Sequence, residues 1–204
     1  MADFTEISPT TVADLLDRGQ VMDIGIRPLW APVPRLTGPA FTVRCPDGDQ
    51  VSLHAAIHRA PAGSVIVAES GALNGALAGG NVCAVAQRNG IAGFVIDGVI
   101  RDVTEVREIG FPVFARGVFP KPGIKKQALP FNEPVTVGGV LVNAGDIIVA
   151  DEEGVVVVPA ASADEVREKA AAKQAKEAAM TLDEWADDHR TRIGKILDEQ
   201  GFTG

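Results

Sequence analysis

Residues 89–102 read NGIAGFVIDGVIRD. An apolar run lies between the turn-forming pairs Asn89-Gly90 and Asp97-Gly98, and Val99-Ile100 then leads straight into two adjacent charges, Arg101 and Asp102. A short apolar run bounded by turn residues predicts a buried strand over 92–96. Upstream, SVIVA at 64–68 predicts another buried strand, and the small-residue segment 73–88 a helix between the two. Downstream, a short helix over 104–109 precedes a strand over 113–116. Strands alternating with helices at this spacing specify a parallel sheet with right-handed crossovers. Ligands of such sheets bind beyond the carboxyl ends of the strands, where Arg101 and Asp102 fall.

Further out, Ser8 caps and Pro9 starts a helix over 8–18, with Val12, Leu15 and Leu16 as its apolar stripe. A short strand is expected over 21–24, a proline-rich loop over 27–39, a strand over 40–44 and a helix over 51–59. After residue 130 the texture changes. Segments 134–137, 140–142, 146–150 and 155–158 are short and valine-rich, separated by Gly138-Gly139, Asn143-Ala144-Gly145 and Glu152-Glu153-Gly154. Such turn signals predict a β-meander or small barrel-like layer. The last quarter is helical. Ser162 and Glu165 form a capping-box pattern ahead of a weakly apolar helix over 164–180, which predicts a lean on a neighbouring subunit. A second helix over 181–200 carries Leu182, Trp185, His189, Ile193, Ile196 and Leu197 near one face, and Gly201 suits its end. The fold class is therefore α/β.

Composition narrows the function. The 204 residues are 46% hydrophobic and 23% charged, ordinary for one globular domain with a real core. The formal net charge of −8, from 27 acidic against 19 basic residues, disfavours nucleic-acid partners. Cys45 and Cys83 lack CxxC spacing and are expected as buried thiols of a cytoplasmic protein. No charged leader with an apolar run opens the chain, and no stretch approaches the ~18–20 apolar residues that cross a bilayer.

Arg101 and Asp102 carry the chemistry best. A guanidinium grips a carboxylate with two parallel hydrogen bonds. A carboxylate offers the hard oxygens that suit Mg²⁺, which keeps most of its waters. The alternative is an Arg–Asp pair capping the helix near Val103. The segment Gly71–Val82, GALNGALAGGNV, holds Gly79-Gly80 inside the predicted helix, at about 1 kcal/mol per glycine relative to alanine. Either a loop gives way to a helix N-terminus near Asn81 that binds an anion, or a small-residue helix packs tightly on the sheet. No GxGxxG fingerprint, GxSxG elbow or HExxH pair occurs. His54 and His58, one helical turn apart, read as a surface or core pair, and Lys121, Lys125 and Lys126 as a solvated basic loop.

The runs VIDGVIRDVTEVREIGFPVFARGV and VTVGGVLVNAGDIIVADEEGVVVVP closely resemble the RraA-like family, which includes 4-hydroxy-4-methyl-2-oxoglutarate aldolases that also decarboxylate oxaloacetate. The resemblance runs from about Ala40 to the C-terminal helices. It implies a compact α/β sandwich around a β-barrel-like core, as a single domain over 1–204 whose residues 162–204 extend onto a neighbouring subunit of a trimer or hexamer. It further implies that Arg101 binds the substrate's carboxylate and 2-oxo group and that Asp102 ligates Mg²⁺ or Mn²⁺. Gly79, Gly80, Asn81 and Val82 would supply backbone contacts to substrate. Glu177, from the neighbour's C-terminal helix, would complete the catalytic set. One departure stands out: the aldolases carry an acidic residue where this chain has Gly80. Two functions follow, a metal-dependent class II aldolase or oxaloacetate decarboxylase acting on a 2-oxo acid, or a non-enzymatic regulator of a ribonuclease. The deciding question is whether a carboxylate from elsewhere fills the space beside Gly80, with Glu69 and Glu177 as the candidates.

Overall fold

A computed structural model of the chain describes residues 3–203. Its centre is a seven-stranded sheet in the order β1-β5-β4-β3-β2-β8-β9. The parallel part comprises β2 (Leu36–Arg44), β3 (Val65–Glu69), β4 (Gly93–Ile100) and β5 (Val113–Val118). Strand β1 (Arg27–Pro28) pairs antiparallel with β5, and β8 (Ile147–Asp151) with β2 and with β9 (Gly154–Val158). The edge strands β1 and β9 come into contact, so the sheet curls almost into a barrel. A two-stranded ribbon, β6 (Val135–Val137) with β7 (Val140–Val142), packs against it.

The strand pattern explains both faces. Alternate residues of a strand point to opposite sides. On β3, Val65 and Val67 face the barrel interior with Val95, Phe114, Val137, Ile148 and Val157. Ile66 and Ala68 face outward into a second core with Phe94, Ile96, Leu53 and Cys83. That outer layer is built from α2 (Val51–Ala56), α3 (Gly80–Arg88) and α4 (Val103–Glu108). A third cluster joins α1 (Pro9–Ala13) and the first half of α5 (Ala163–Ala178) to β8 and β9, through Val12, Val149, Val158, Val166 and Ala170. The chain ends in α6 (Leu182–Glu199). The architecture is α/β with a barrel-like sheet and C-terminal helices.

Several local expectations are corrected. Residues 73–79 are loop, and the helix starts only at Gly80. The first helix ends at Ala13, and residues 21–24 make one isolated bridge at Val21 instead of a strand. The proline-rich stretch contributes β1 and the start of β2, because Pro39 sits where β2 leaves β8 for β3. Ser162 makes no capping bond; its hydroxyl donates to the Pro159 carbonyl (3.3 Å). The capping box lies instead at Thr181 and Glu184. The first half of α5 packs on its own chain through Ala163, Val166 and Ala170.

Candidate active site

Strand β4 delivers the site. It runs past a register shift between Ile96 and Val99, and its end is held by the preceding loop: the Leu77 amide donates to Val99 (2.9 Å) and the Arg101 amide to Ala78 (3.0 Å). The chain then turns sharply. Asp102 adopts φ +58° and ψ +36°, a left-handed conformation uncommon outside glycine that a short polar side chain tolerates best. It stands at the start of α4 but makes no capping bond there. Its Oδ2 accepts instead from the Gly80 amide (3.2 Å), at the first turn of α3, and lies 3.4 Å from Arg101 Nε. The Asp102 carboxylate thus satisfies a free N–H at the α3 N-terminus, where the helix dipole favours negative charge. Arg101 and Asp102 are both about two-fifths exposed, open to the solvent side of a cavity.

That proximity explains the paired glycines. Gly79 has an extended backbone that any residue could adopt. Space is the constraint. A Cβ on Gly79 would collide with the Asp102 carboxylate and stand 3.0 Å from Arg101 Cγ. A Cβ on Gly80 would run into the carboxylate of Glu105 and stand 2.9 Å from Glu105 Cβ. The carboxylate beside Gly80 is therefore that of Glu105, in the first turn of α4. Within the chain itself neither Glu69 nor Glu177 reaches this position. Glu69 accepts from the Thr136 amide (2.6 Å), fixing the β6–β7 ribbon, and Glu177 pairs with Lys173 on α5.

The cavity holds about 460 Å³, and Gly79, Asn81, Val82, Arg101 and Asp102 form one wall. Opposite stand Gln50 and His54 of α2, together with Pro122, Gly123 and Lys125 of the loop after β5. Buried Asp49 anchors that loop by accepting from the amides of Val51 (3.0 Å), Lys126 (3.0 Å) and Gln127 (2.9 Å). Burial pushes the Asp49 pKa up, but the three amide donors together outweigh it and hold the carboxyl below its ordinary range. Gln50 Nε2 donates to the Gly123 carbonyl (3.1 Å). His54 Nε2 donates to the Leu77 carbonyl (3.0 Å), which leaves Nδ1 as the acceptor of the neutral ring. Burial lowers the His54 pKa below 6.5; the Leu77 bond opposes this, and Lys125 adds to the depression. Cys83 lies behind Asp102, its thiol pushed up to about 12 by burial and by that carboxylate, so it stays an inert thiol.

Of the residues expected from sequence, the structure brings Gly79, Asn81, Val82, Arg101 and Asp102 to one cavity, with Gly80 behind its wall. Glu177 lies apart, on a different groove with Lys173 and Trp185. Sequence reading missed Gln50, His54, Lys125 and Glu105. The His54–Lys125 pairing has no sequence signal, since 71 positions separate the two, whereas Glu105 lies three residues beyond Asp102 on the same short helix. Among the described residues no three His, Cys, Asp or Glu side chains group as ligands of one ion. Asp102 remains a single hard-oxygen donor whose Oδ1 has no protein partner among the described residues, a set compatible with a largely hydrated divalent cation.

The sequence model of the RraA-like family (Aldolase/RraA) matches residues 9–157, which include every wall of this cavity. The chain belongs to the RraA-like family. A relative from Halalkalibacterium halodurans named "Putative 4-hydroxy-4-methyl-2-oxoglutarate aldolase" is 37% identical over 177 residues, 86% of this chain and 84% of that protein. Among solved structures, a Streptomyces coelicolor protein described as an unusual member of the RNase ES inhibitor RraA protein family superposes with a TM-score of 0.74. It is 31% identical, over 85% of this chain and 90% of that one. The RNA-processing inhibitor RraA from Thermus gives a TM-score of 0.67 at 29% identity, over 78% and 94% of the two chains. The RraA-like family thus contains proteins named for an enzyme and proteins named for inhibition. Among the described residues no helix is long and apolar enough to cross a membrane.

Proposed function

We propose that the cavity at Arg101 and Asp102 is the active site of a divalent-metal-dependent lyase that cleaves or decarboxylates a short 2-oxo acid of the 4-hydroxy-4-methyl-2-oxoglutarate or oxaloacetate type. The observation that carries this reading is the convergence of Arg101, Asp102, His54 and Lys125 on one cavity large enough for such an acid. An inhibitor that works by surface contact has no need of a walled cavity with cationic groups on facing sides, which favours the enzyme over a regulator of ribonuclease activity.

Each residue has a definite task in this reading. Arg101 clamps the carboxylate and 2-oxo oxygens, and its fixed charge stabilises the enolate that forms as the carbon–carbon bond breaks. Lys125 and neutral His54 meet the far end of the substrate. Asp102 would hold Mg²⁺ or Mn²⁺, which when bound polarises the 2-oxo carbonyl. Glu105 stands beside the position where the aldolases carry their acidic residue but does not itself line the cavity, so in aldol cleavage it would take the substrate's hydroxyl proton through bridging water and deliver it to the enolate carbon. Glu177, distant from the cavity in its own chain, contributes only across a subunit seam of a homo-oligomer.

Oxaloacetate loss measured with Mg²⁺ or Mn²⁺ tests the reading. Asp102→Ala should slow turnover by about 10²–10³-fold, whereas Glu105→Gln should leave oxaloacetate loss near wild type and slow only cleavage of the 4-hydroxy acid, by about 10²-fold. Equal rates in the wild type and Asp102→Ala would end it.

A further inference from the structure

The C-terminal helix α6 is eighteen residues long, about 27 Å, and none of its residues is buried. Among the described residues it makes no extensive contact with another helix or strand. Yet it is amphipathic. Spacings of three and four place Leu182, Trp185, His189, Ile193 and Ile196 on one stripe. Leu182 is 79% exposed and Trp185, Ile193 and Ile196 between 41% and 47%. Trp185 and His189 already stack within the stripe, with centroids 4.7 Å apart. A helix of this length is marginal in water without a packed face, and its capping box supplies only local support.

We propose that α6 pairs antiparallel with α6 of a second copy of this chain. The charge pattern selects both partner and direction. The half before His189 holds Asp183, Glu184, Asp187 and Asp188 with no Lys or Arg, and the half after it holds Arg190, Arg192 and Lys195 against Asp198 and Glu199. A parallel partner would set acidic half on acidic half. An antiparallel one places Asp188 near Arg192 and Lys195 of the partner, twice over by symmetry, so the helix is complementary to itself. An open groove of about 600 Å³ between α5 and α6, walled by Lys176, Met180, Trp185, Asp188 and Arg192, adjoins the stripe. The pairing buries the stripe and joins two copies independently of the cavity chemistry.

The test uses the full chain. Light scattering of the Trp185→Ala/Ile196→Ala double variant should show half the wild-type particle mass, with the unfolding midpoint of the body retained as the check on folding. Mixing His189→Cys and Ile193→Cys proteins under mild oxidation should give a covalent heterodimer. Leu182→Cys alone should give none, because antiparallel helices hold those positions about 27 Å apart. The native cysteines are buried and do not compete. Unchanged mass overturns the proposal. So does halved mass when the mixed proteins fail to cross-link or Leu182→Cys links to itself, since α6 would then dock elsewhere or in parallel.

Discussion

Helices α3 and α6 are opposites. The nine residues of α3, GNVCAVAQR, open on glycine and have no cap from their own N-terminal residue, yet the helix buries Gly80, Cys83 and Ala86 against the sheet. The eighteen residues of α6 have a reciprocal capping box and many good helix formers, and bury nothing. Tertiary packing makes the first; local chemistry makes the second. The candidate active site sits at the former because a glycine start lets the Arg101 and Asp102 side chains and the Glu105 carboxylate come within a few ångströms of helix backbone. A helix built on its own propensity has no need of such close neighbours, and its exposed stripe suits it to meeting another chain.

One substitution made in both helices should have opposite signs. The larger effect is expected for Gly80→Ala, whose new Cβ meets Glu105 Cβ at 2.9 Å and displaces its carboxylate. Overpacking of this kind costs about 1–3 kcal/mol. Urea unfolding should show the loss, and a midpoint at or above wild type would mean that the glycine is not there for space. Gly194→Ala in α6 has nothing within 4 Å of the new Cβ. It should stabilise that helix by about 0.5–1 kcal/mol, read as a gain in helical circular dichroism on warming. A decrease would show that α6 is packed more tightly than its exposure indicates.

The smallest effect belongs to the buried side of the comparison. The His54 pKa is lowered in the folded chain, so the folded state holds fewer protons than the unfolded state just below pH 6.5. The associated stability is present in full above 6.5 and is lost as pH falls through that value towards the folded pKa. Urea midpoints measured from about pH 8 to about pH 5 should therefore decline, and His54→Asn should remove part of the slope. An unchanged slope would mean that His54 titrates as an exposed imidazole.

The fold was legible wherever one face of an element had to be buried. The apolar runs at 64–68 and 92–96, the switch to short valine-rich strands after residue 130 and the two terminal helices all reappear. Element ends were less so. Residues 73–79 read as helix because they are small and apolar, but they spend their amide hydrogen bonds on β4 and on the loop at Lys121. Val21 and Ile24 look like strand residues, but Asp23 is drawn away by the Gly138 carbonyl and by Arg116, which also holds Asp97. The site was half legible. Arg101 and Asp102 declare themselves as charges at a strand end, whereas His54 and Lys125 read as ordinary surface residues until the fold brings them together.

By itself the sequence determined the α/β class, the strand that carries Arg101 and Asp102 and the amphipathic tail, since each follows from a periodicity or from adjacent residues. Only the tertiary structure decided which carboxylate stands beside Gly80, which side chains face Arg101 across the cavity, and that the Asp102 side chain caps α3 instead of α4. Those are contacts between segments distant in the chain or turned by a left-handed backbone. They depend on how the elements pack, which no local pattern of residues encodes.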